Sequence, residues 1–289
     1  FFFYIAMGGR WLLHIQPLLY LAVVVGGVLF GLSLATDIVS NTNLKEPEWW
    51  TTLLRSLNII CIIHVLSAFF GFLLPHRKLE NCIEKLRADN DGELPNLYIR
   101  YVTRGDNPSV ITESVKKAFE MTKDYENVWV EVATDNPVVM TPEIMELNYS
   151  NLIELVVPED YKTENKSVFK ARALQYALEN SQIGHNDFIL HLDEESHLTE
   201  EALIGIYQHI YKNPDKVGQG PITYFRSLPV GLDRLKPSNW KRTFCTMADA
   251  IRVSDDLSRF RLAFNIGSPI FGCKGSYIVI KNSIERDVP

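Results

Sequence analysis

Acidic side chains stand just after three apolar, strand-like segments of this sequence: Asp106, Asp135, and the pair Asp193 and Glu195. If the three segments are neighbouring parallel strands, their carboxyl ends meet at one edge of a sheet, which is where such sheets bind ligands. Like charges gathered at one edge repel each other unless a cation or hydrogen-bond donors hold them. The sequence therefore predicts a charged, ligand-binding edge.

Asp193 and Glu195 are two residues apart, a spacing at which two carboxylates leaving a strand can share one divalent ion. Carboxylate oxygens are hard ligands that suit Mg²⁺ or Mn²⁺. Such an ion would neutralise a diphosphate leaving group. The alternative is a solvated helix cap, but the apolar run 188–192 directly before the pair favours metal binding.

Two histidines, His191 and His197, flank these acids. Strand alternation puts His191 on the same side as Asp193. A zinc site is one interpretation, although third and fourth ligands at suggestive spacing are missing from the sequence. Histidines in the core or at its rim are the other.

Lys170 and Arg172 lie early in a segment, 167–179, whose apolar spacing predicts a helix with Ser167 as its cap and Val168 on its buried face. Their charges, together with the helix N-terminus, could meet a diphosphate. A solvated basic face explains the same two residues equally well.

The elements that position these residues alternate between strands and helices. Strands are predicted at 97–103, 128–134, 152–157, 188–192, 221–225 and 276–280, and helices at 110–121, 144–147, 167–179, 199–211 and 240–264. This alternation predicts an α/β fold with a doubly wound, mostly parallel sheet. The helix at 240–264 either packs in the core or lies against a membrane face.

Residues 1–75 predict a membrane region. Two apolar stretches, 12–34 and 53–74, are each long enough to cross a bilayer as a helix; a buried helical pair is the alternative. The basic residues of the flanks are Arg10 before the first stretch, Lys45 between the two, and Arg77, Lys78, Lys85 and Arg87 after the second. This distribution predicts that the N-terminus and the domain at 97–289, joined by a linker at 76–96, face the cytosol.

The net charge of -6 argues against nucleic acid as a partner, because nucleic-acid binding needs a concentrated basic face. Both ends of the chain look cut, since it starts without methionine and stops just after a strand-like run. The sequence is thus expected to be a piece of a longer protein.

Seven motifs, in one order, resemble the egghead-type β-1,4-mannosyltransferases of invertebrates. They are YVTRGD at 101–106, VVPEDYK at 156–162, FKARALQY at 169–176, HLDEE at 191–195, GQGPITY at 218–224, IRVSDD at 251–256 and KGSY at 274–277. That family belongs to glycosyltransferase family 2 and has the GT-A fold. The resemblance implies that the domain at 97–289 has the GT-A fold; with the two apolar stretches before it, the chain is expected to be part of a multi-pass protein of the Golgi or endoplasmic reticulum.

The resemblance also implies an inverting transfer of mannose from GDP-mannose to a lipid acceptor, glucosylceramide. It assigns nucleotide contacts to Thr103, Arg104 and Asp135 and diphosphate contacts to Lys170 and Arg172. It makes Asp193 and Glu195 the metal pair, for Mn²⁺ or Mg²⁺, with Asp193 also facing the nucleotide sugar.

The sequence departs from the family pattern in two places. Residues 227–238 look like extra chain, and the family's Glu-Asp motif, which supplies the general base, is expected beyond Pro289 together with the Gln-x-x-Arg-Trp motif. The 289 residues are therefore expected to bind a donor nucleotide without transferring sugar. The alternatives are a processive polysaccharide synthase of the same superfamily and a non-catalytic, nucleotide-binding membrane protein.

Overall fold

The computed structural model of the chain describes residues 66, 69–71, 73–75, 78–137, 150–222, 239–267 and 275–287. The chain divides into two compact units, one made of residues 1–76 with 223–272 and the other of residues 77–222 with 273–289. The predicted span at 12–34, most of that at 53–74, the short helix at 144–147 and the segment 227–238 lie outside the described residues. In the part that is described, no helix combines the length and the apolar character needed to cross a membrane.

The second unit is built on a mixed, mostly parallel sheet, as the sequence predicts. Its described strands are β1 (Leu97–Thr103), β2 (Val128–Thr134), β3 (Leu152–Val156), β4 (Phe188–Asp193), β5 (Gly218–Gln219) and β6 (Ile278–Lys281). They lie in the order β3-β2-β1-β4-β6-β5. The first four in that order are parallel, and β6 runs antiparallel to both β4 and β5.

Helices cover both faces of this sheet. They are α1 (Ile83–Asp89), α2 (Pro108–Thr122), α3 (Lys170–Asn180), α4 (Glu200–Lys212) and α6 (Asn282–Arg286). The main core joins α1, α2 and α4 to one face, and two smaller clusters join α3 and α6 to the other. Burial on both faces explains why β1 and β2 consist of nearly continuous apolar residues instead of an alternating pattern.

Part of the segment predicted as a linker is a packed helix. Ile83 and Leu86 of α1 are buried in the main core, and the helix is followed by the expected turn, in which Asp91 and Gly92 have positive φ. The apolar positions are too few in seven residues for the sequence pattern to reveal this helix.

The helix α3 begins at Lys170, three residues later than predicted. Ser167 does not cap it; instead its amide donates to the Thr163 hydroxyl at 2.5 Å, and Phe169 has a φ of 56° that no α-helix contains. Val168 is consequently exposed, and the buried residues of the helix are Ala173 and Ala177.

Two later predictions have different outcomes. The strand expected at 221–225 lies mostly outside the described residues; residues 221 and 222 are not part of a strand, and the residues that pair with β6 are Gly218 and Gln219. The helix expected at 240–264 is confirmed as α5 (Asn239–Ile266), in the first unit. Whether it lies against a membrane stays a prediction.

Candidate functional site

The carboxyl ends of β2, β1 and β4 lie side by side, because these strands are neighbours in the sheet. Thr103 pairs with Thr134 in register, and Val102 pairs with Asp193. The residues predicted after the three strands are therefore brought to one edge, as the topology of a parallel sheet requires.

Thr103 is buried at this edge and ties two strand ends together. Its hydroxyl donates to the carboxylate of Glu194 and accepts the amide of Gly105 at 3.0 Å. The Ser114 hydroxyl donates to the Glu194 carbonyl at 2.7 Å, which fixes the turn after β4. Sequence reasoning missed Glu194, although strand alternation places it on the same face as Thr103.

Arg172 is engaged with the chain around it and does not belong to a solvated basic face. Its guanidinium lies 3.2 Å from the carboxylate of Asp135, and it donates to the carbonyls of Tyr161 and Pro158. The Arg172 and Asp135 side chains are 22% and 21% exposed. One face of this arginine is thus anchored, while the rest lines a cleft.

Lys170 forms an ion pair with Asp193, the last residue of β4. Both side chains are about a third exposed, so solvent screening keeps the contribution of this pair to stability small. The Asp193 amide donates to the Ser276 hydroxyl at 2.9 Å, and Glu195 is exposed in the turn that follows. The Asp193 carboxylate is thus paired with an ammonium group, which a metal ion would have to replace.

The donor set suits a divalent ion that is shared with a ligand. Mg²⁺ is commonly held by one or two carboxylates together with substrate phosphates, and Asp193 and Glu195 provide two carboxylates. In the described residues, no three side chains of histidine, cysteine, aspartate or glutamate converge into a metal site. These two carboxylates could contribute to a divalent ion that a ligand completes, whereas no set of three or four described side chains suits zinc.

A cleft of about 400 Å³ opens beside this edge. Its lining residues are Arg104, Asp135, Asn136, Val157, Glu159, Val168, Phe169 and Arg172. Three of the predicted site residues, Arg104, Asp135 and Arg172, are therefore brought together. Phe169, which sequence reasoning did not assign to the site, has its ring 5.0 Å from the guanidinium carbon of Arg104.

Below the site, four charged or titratable residues form a buried network. Arg100 Nε donates to Glu131 at 2.5 Å, and both side chains are almost completely buried. Glu285 of α6 accepts from Arg100 at 3.2 Å and lies 2.7 Å from His191 Nε2. His191 is thus held by a carboxylate in the core, which supports the interpretation as a core histidine.

The network sets the ionisation of Glu285. Burial raises the pKa of Glu285, but the hydrogen bond and charge of His191, with the charge of Arg100, outweigh this effect and hold the pKa below 4.5.

The second histidine, His197, lies outside this network. Burial together with the charge of Lys117 lowers its pKa from 6.5. His197 therefore favours the neutral form.

The sequence relatives of the chain are glycosyltransferases. It is 36% identical over 241 residues to the β-1,4-mannosyltransferase egh of Drosophila melanogaster, which covers 82% of this chain and 48% of that protein. It is 37% identical over 201 residues to the β-1,4-mannosyltransferase bre-3 of Caenorhabditis elegans, which covers 67% of this chain and 40% of that protein. The chain is thus homologous to the egghead-type β-1,4-mannosyltransferases, which confirms the resemblance in the motifs.

The chain spans about half the length of these curated relatives or less. No protein-family model matches it.

Among solved structures the chain resembles Staphylococcus aureus TarS 1–349 in complex with UDP-GlcNAc, at 19% identity and a TM-score of 0.31, over 46% of this chain and 37% of that one. It also resembles PcManGT from Pyrobaculum calidifontis, in complex with GDP-Man and Mn²⁺, at 14% identity and a TM-score of 0.33, over 60% and 48%. TM-scores of this size do not establish a common fold.

Proposed function

We propose that the protein is an inverting, GT-A-type glycosyltransferase that moves mannose from GDP-mannose to a glycolipid such as glucosylceramide, in β-1,4 linkage. The observation that carries this proposal is its homology to β-1,4-mannosyltransferases over 82% of the chain. The proposal is also supported by the basic residues at the carboxyl edge of the sheet, because their charge suits a negatively charged sugar-nucleotide donor.

The donor side is supported by the cleft and the basic residues next to it. Arg104, Arg172 and Lys170 surround the strand ends, and each can pair with phosphate oxygens. Arg172 is held rigidly by Asp135 and two backbone carbonyls, so little side-chain entropy is lost when it meets a ligand. In this proposal the diphosphate lies between α3 and the end of β4.

Asp193 and Glu195 would hold Mn²⁺ or Mg²⁺ in this arrangement. A bound ion would neutralise the charge that develops on the diphosphate as the sugar leaves. Asp193 must then exchange its contact with Lys170 for the ion, and the freed ammonium group can turn to the diphosphate. Metal and diphosphate would therefore bind together.

A lipid acceptor requires a site near a membrane. The predicted spans at 12–34 and 53–74 would supply the anchor, and the excess of Lys and Arg after the second would keep the catalytic domain on the cytosolic side of the Golgi or endoplasmic reticulum. Protease treatment of sealed microsomes tests this orientation. A domain that stays fully protected until detergent is added would contradict it.

Transfer is tested with the whole natural protein in which this chain occurs. The assay measures labelled mannose passed from GDP-mannose to glucosylceramide in detergent, with UDP-glucose and UDP-N-acetylglucosamine as competing donors. We expect a product with a β-linked mannose that depends on added Mn²⁺ or Mg²⁺.

The matched variants are Asp193→Asn, at the metal pair, and Glu201→Gln, in the first turn of α4 outside the site. The first should lose metal-dependent transfer and the second should keep it. Equal use of the three donors, an α-linked product, or full activity of Asp193→Asn would each contradict the proposal.

A further inference from the structure

A bend just before β6, formed by Ser276 and Tyr277, contacts the turn that follows β4. This acidic turn spans residues 193–197. Ser276 is 1% exposed, and its hydroxyl accepts the Asp193 amide at 2.9 Å and lies 3.2 Å from the Ser196 hydroxyl. One buried side chain therefore connects the start of the acidic turn with a residue three positions later.

Tyr277 contacts the chain at both ends of the acidic turn. Its amide donates to the carbonyl of His191 at 2.8 Å, and its hydroxyl donates to the carbonyl of His197. Tyr277 has a φ of 56°, in the left-handed region that residues other than glycine occupy at a cost in free energy. A backbone in this conformation persists where its surroundings determine it, and these two hydrogen bonds belong to those surroundings.

The bend is held on its other side by the end of β5. The Gln219 side-chain amide donates to the Ser276 carbonyl at 2.8 Å. The Gly220 amide donates to the Tyr277 carbonyl, also at 2.8 Å. The bend is therefore tied to the edge of the sheet and can hold the acidic turn in place.

The contacts of the bend with the acidic turn use backbone groups and the Ser196 hydroxyl. The carboxylates of Asp193 and Glu195 take no part in them, because the first meets Lys170 and the second is exposed. An ion such as Mg²⁺ demands near-ideal geometry from its ligands. Contacts that fix the backbone of the turn and leave its acidic side chains outside meet that demand.

We propose that Ser276 and Tyr277 are positioning residues that fix the acidic turn, so that its two outward carboxylates are presented together to one divalent ion. The inference rests on the proposed function in one respect, that Asp193 and Glu195 bind the ion. A turn that is already ordered loses little conformational entropy when the ion arrives, which raises the affinity for the ion. The bend thus acts on the ion through the backbone of the turn.

The experiment measures GDP affinity by calorimetric titration of the purified 289-residue chain in detergent, once with a fixed concentration of Mn²⁺ and once with EDTA. The ratio of the two affinities is the metal enhancement. Replacing residues that orient metal ligands typically lowers metal affinity by about 10- to 100-fold. We expect Ser276→Ala to reduce the metal enhancement by about 10-fold, the lower end of that range, because both carboxylates remain. GDP affinity in EDTA should be unchanged, since the basic residues beside the cleft are not altered.

A second variant, Tyr277→Phe, removes only the hydroxyl that holds the His197 carbonyl and should also reduce the metal enhancement. Tyr207→Phe is the matched control, because the buried Tyr207 hydroxyl accepts the Asn127 side-chain amide at 2.9 Å, just before the start of β2. This contact lies at the amino ends of the strands, away from the acidic turn. The control should lower the melting temperature by a similar amount and keep the metal enhancement of the wild type.

Four outcomes would overturn the inference. A wild-type metal enhancement in both Ser276→Ala and Tyr277→Phe refutes the positioning role while the proposed function stands. Equal losses of GDP affinity with Mn²⁺ and with EDTA show a general structural role and refute it as well, as does a loss of enhancement in Tyr207→Phe as large as in Tyr277→Phe. If the GDP affinity of the wild type does not respond to Mn²⁺, the proposed metal pair and the inference fail together.

Discussion

Replacing Glu131 with glutamine tests how strongly its buried ion pair with Arg100 stabilises the fold. The Glu131 carboxylate is fully buried, and it accepts from Arg100 at 2.5 Å and from the Ser181 hydroxyl. Removing one partner of a buried pair lowers the free energy of unfolding by about 3–5 kcal/mol. Arg100 keeps a second carboxylate, Glu285, at 3.2 Å. We therefore expect Glu131→Gln to lower the free energy of unfolding by about 3 kcal/mol, the lower end of that range.

The matched control is Glu113→Gln, which breaks the 3.0 Å pair with Lys117 on α2, where the side chains are 54% and 37% exposed. Exposed pairs contribute about 0–1 kcal/mol. Both variants are compared with the wild type by urea unfolding, followed by circular dichroism in detergent. A loss for Glu131→Gln no larger than that for the control would refute the reasoning. The double variant Glu131→Gln/Glu285→Gln should lose more than the sum of the single variants, because Arg100 then has neither carboxylate.

Three other predictions concern the metal pair, the cap of α4 and the response to acid. In Asp193→Asn, GDP affinity measured by titration should no longer respond to Mn²⁺; an unchanged response would exclude Asp193 as a ligand. Thr199→Ala should lower the free energy of unfolding by about 1 kcal/mol, because the Thr199 hydroxyl accepts the Ala202 amide at 3.2 Å; a loss near zero in urea unfolding would show that the cap is not formed. Since the folded-state pKa of Glu285 is below 4.5, its contribution to stability is present above that pH and is lost as the pH falls through the lowered pKa. Unfolding midpoints between pH 6 and 3 should fall less steeply in Glu285→Gln, and equal slopes would contradict this.

The parallel half of the sheet could be predicted because its strands are apolar runs of five to seven residues separated by amphipathic helices. The edge strand Gly218–Gln219 was not predicted, since two residues have too few side chains to form a pattern. The start of α3 was wrong because the conformation of Phe169 contradicts its residue type, and sequence patterns assume ordinary backbone preferences.

The sequence carries a signal for the buried network of Arg100, Glu131 and His191. Arg100, Glu131 and His191 are each the fourth residue of an apolar strand, and the register places Arg100 opposite the other two. Charged residues at matching inward positions of neighbouring strands indicate a cross-strand pair. The partner from α6, Glu285, could not be predicted, because nothing local links it to residues 185 positions earlier.

The position of β6 has a consequence for folding during synthesis. β4 is completed at Asp193, but its free edge is covered only when residues 278–281 pair with it, and Arg100 receives its second carboxylate only from Glu285. At roughly 5–20 residues per second, the ribosome needs roughly 5 to 20 seconds to make the intervening chain. During that interval the nascent sheet has an open edge strand, and open edges pair readily with other chains. The carboxyl-terminal edge of the sheet is therefore completed late, when β6 docks, and β4 stays open to pairing with a wrong partner until then.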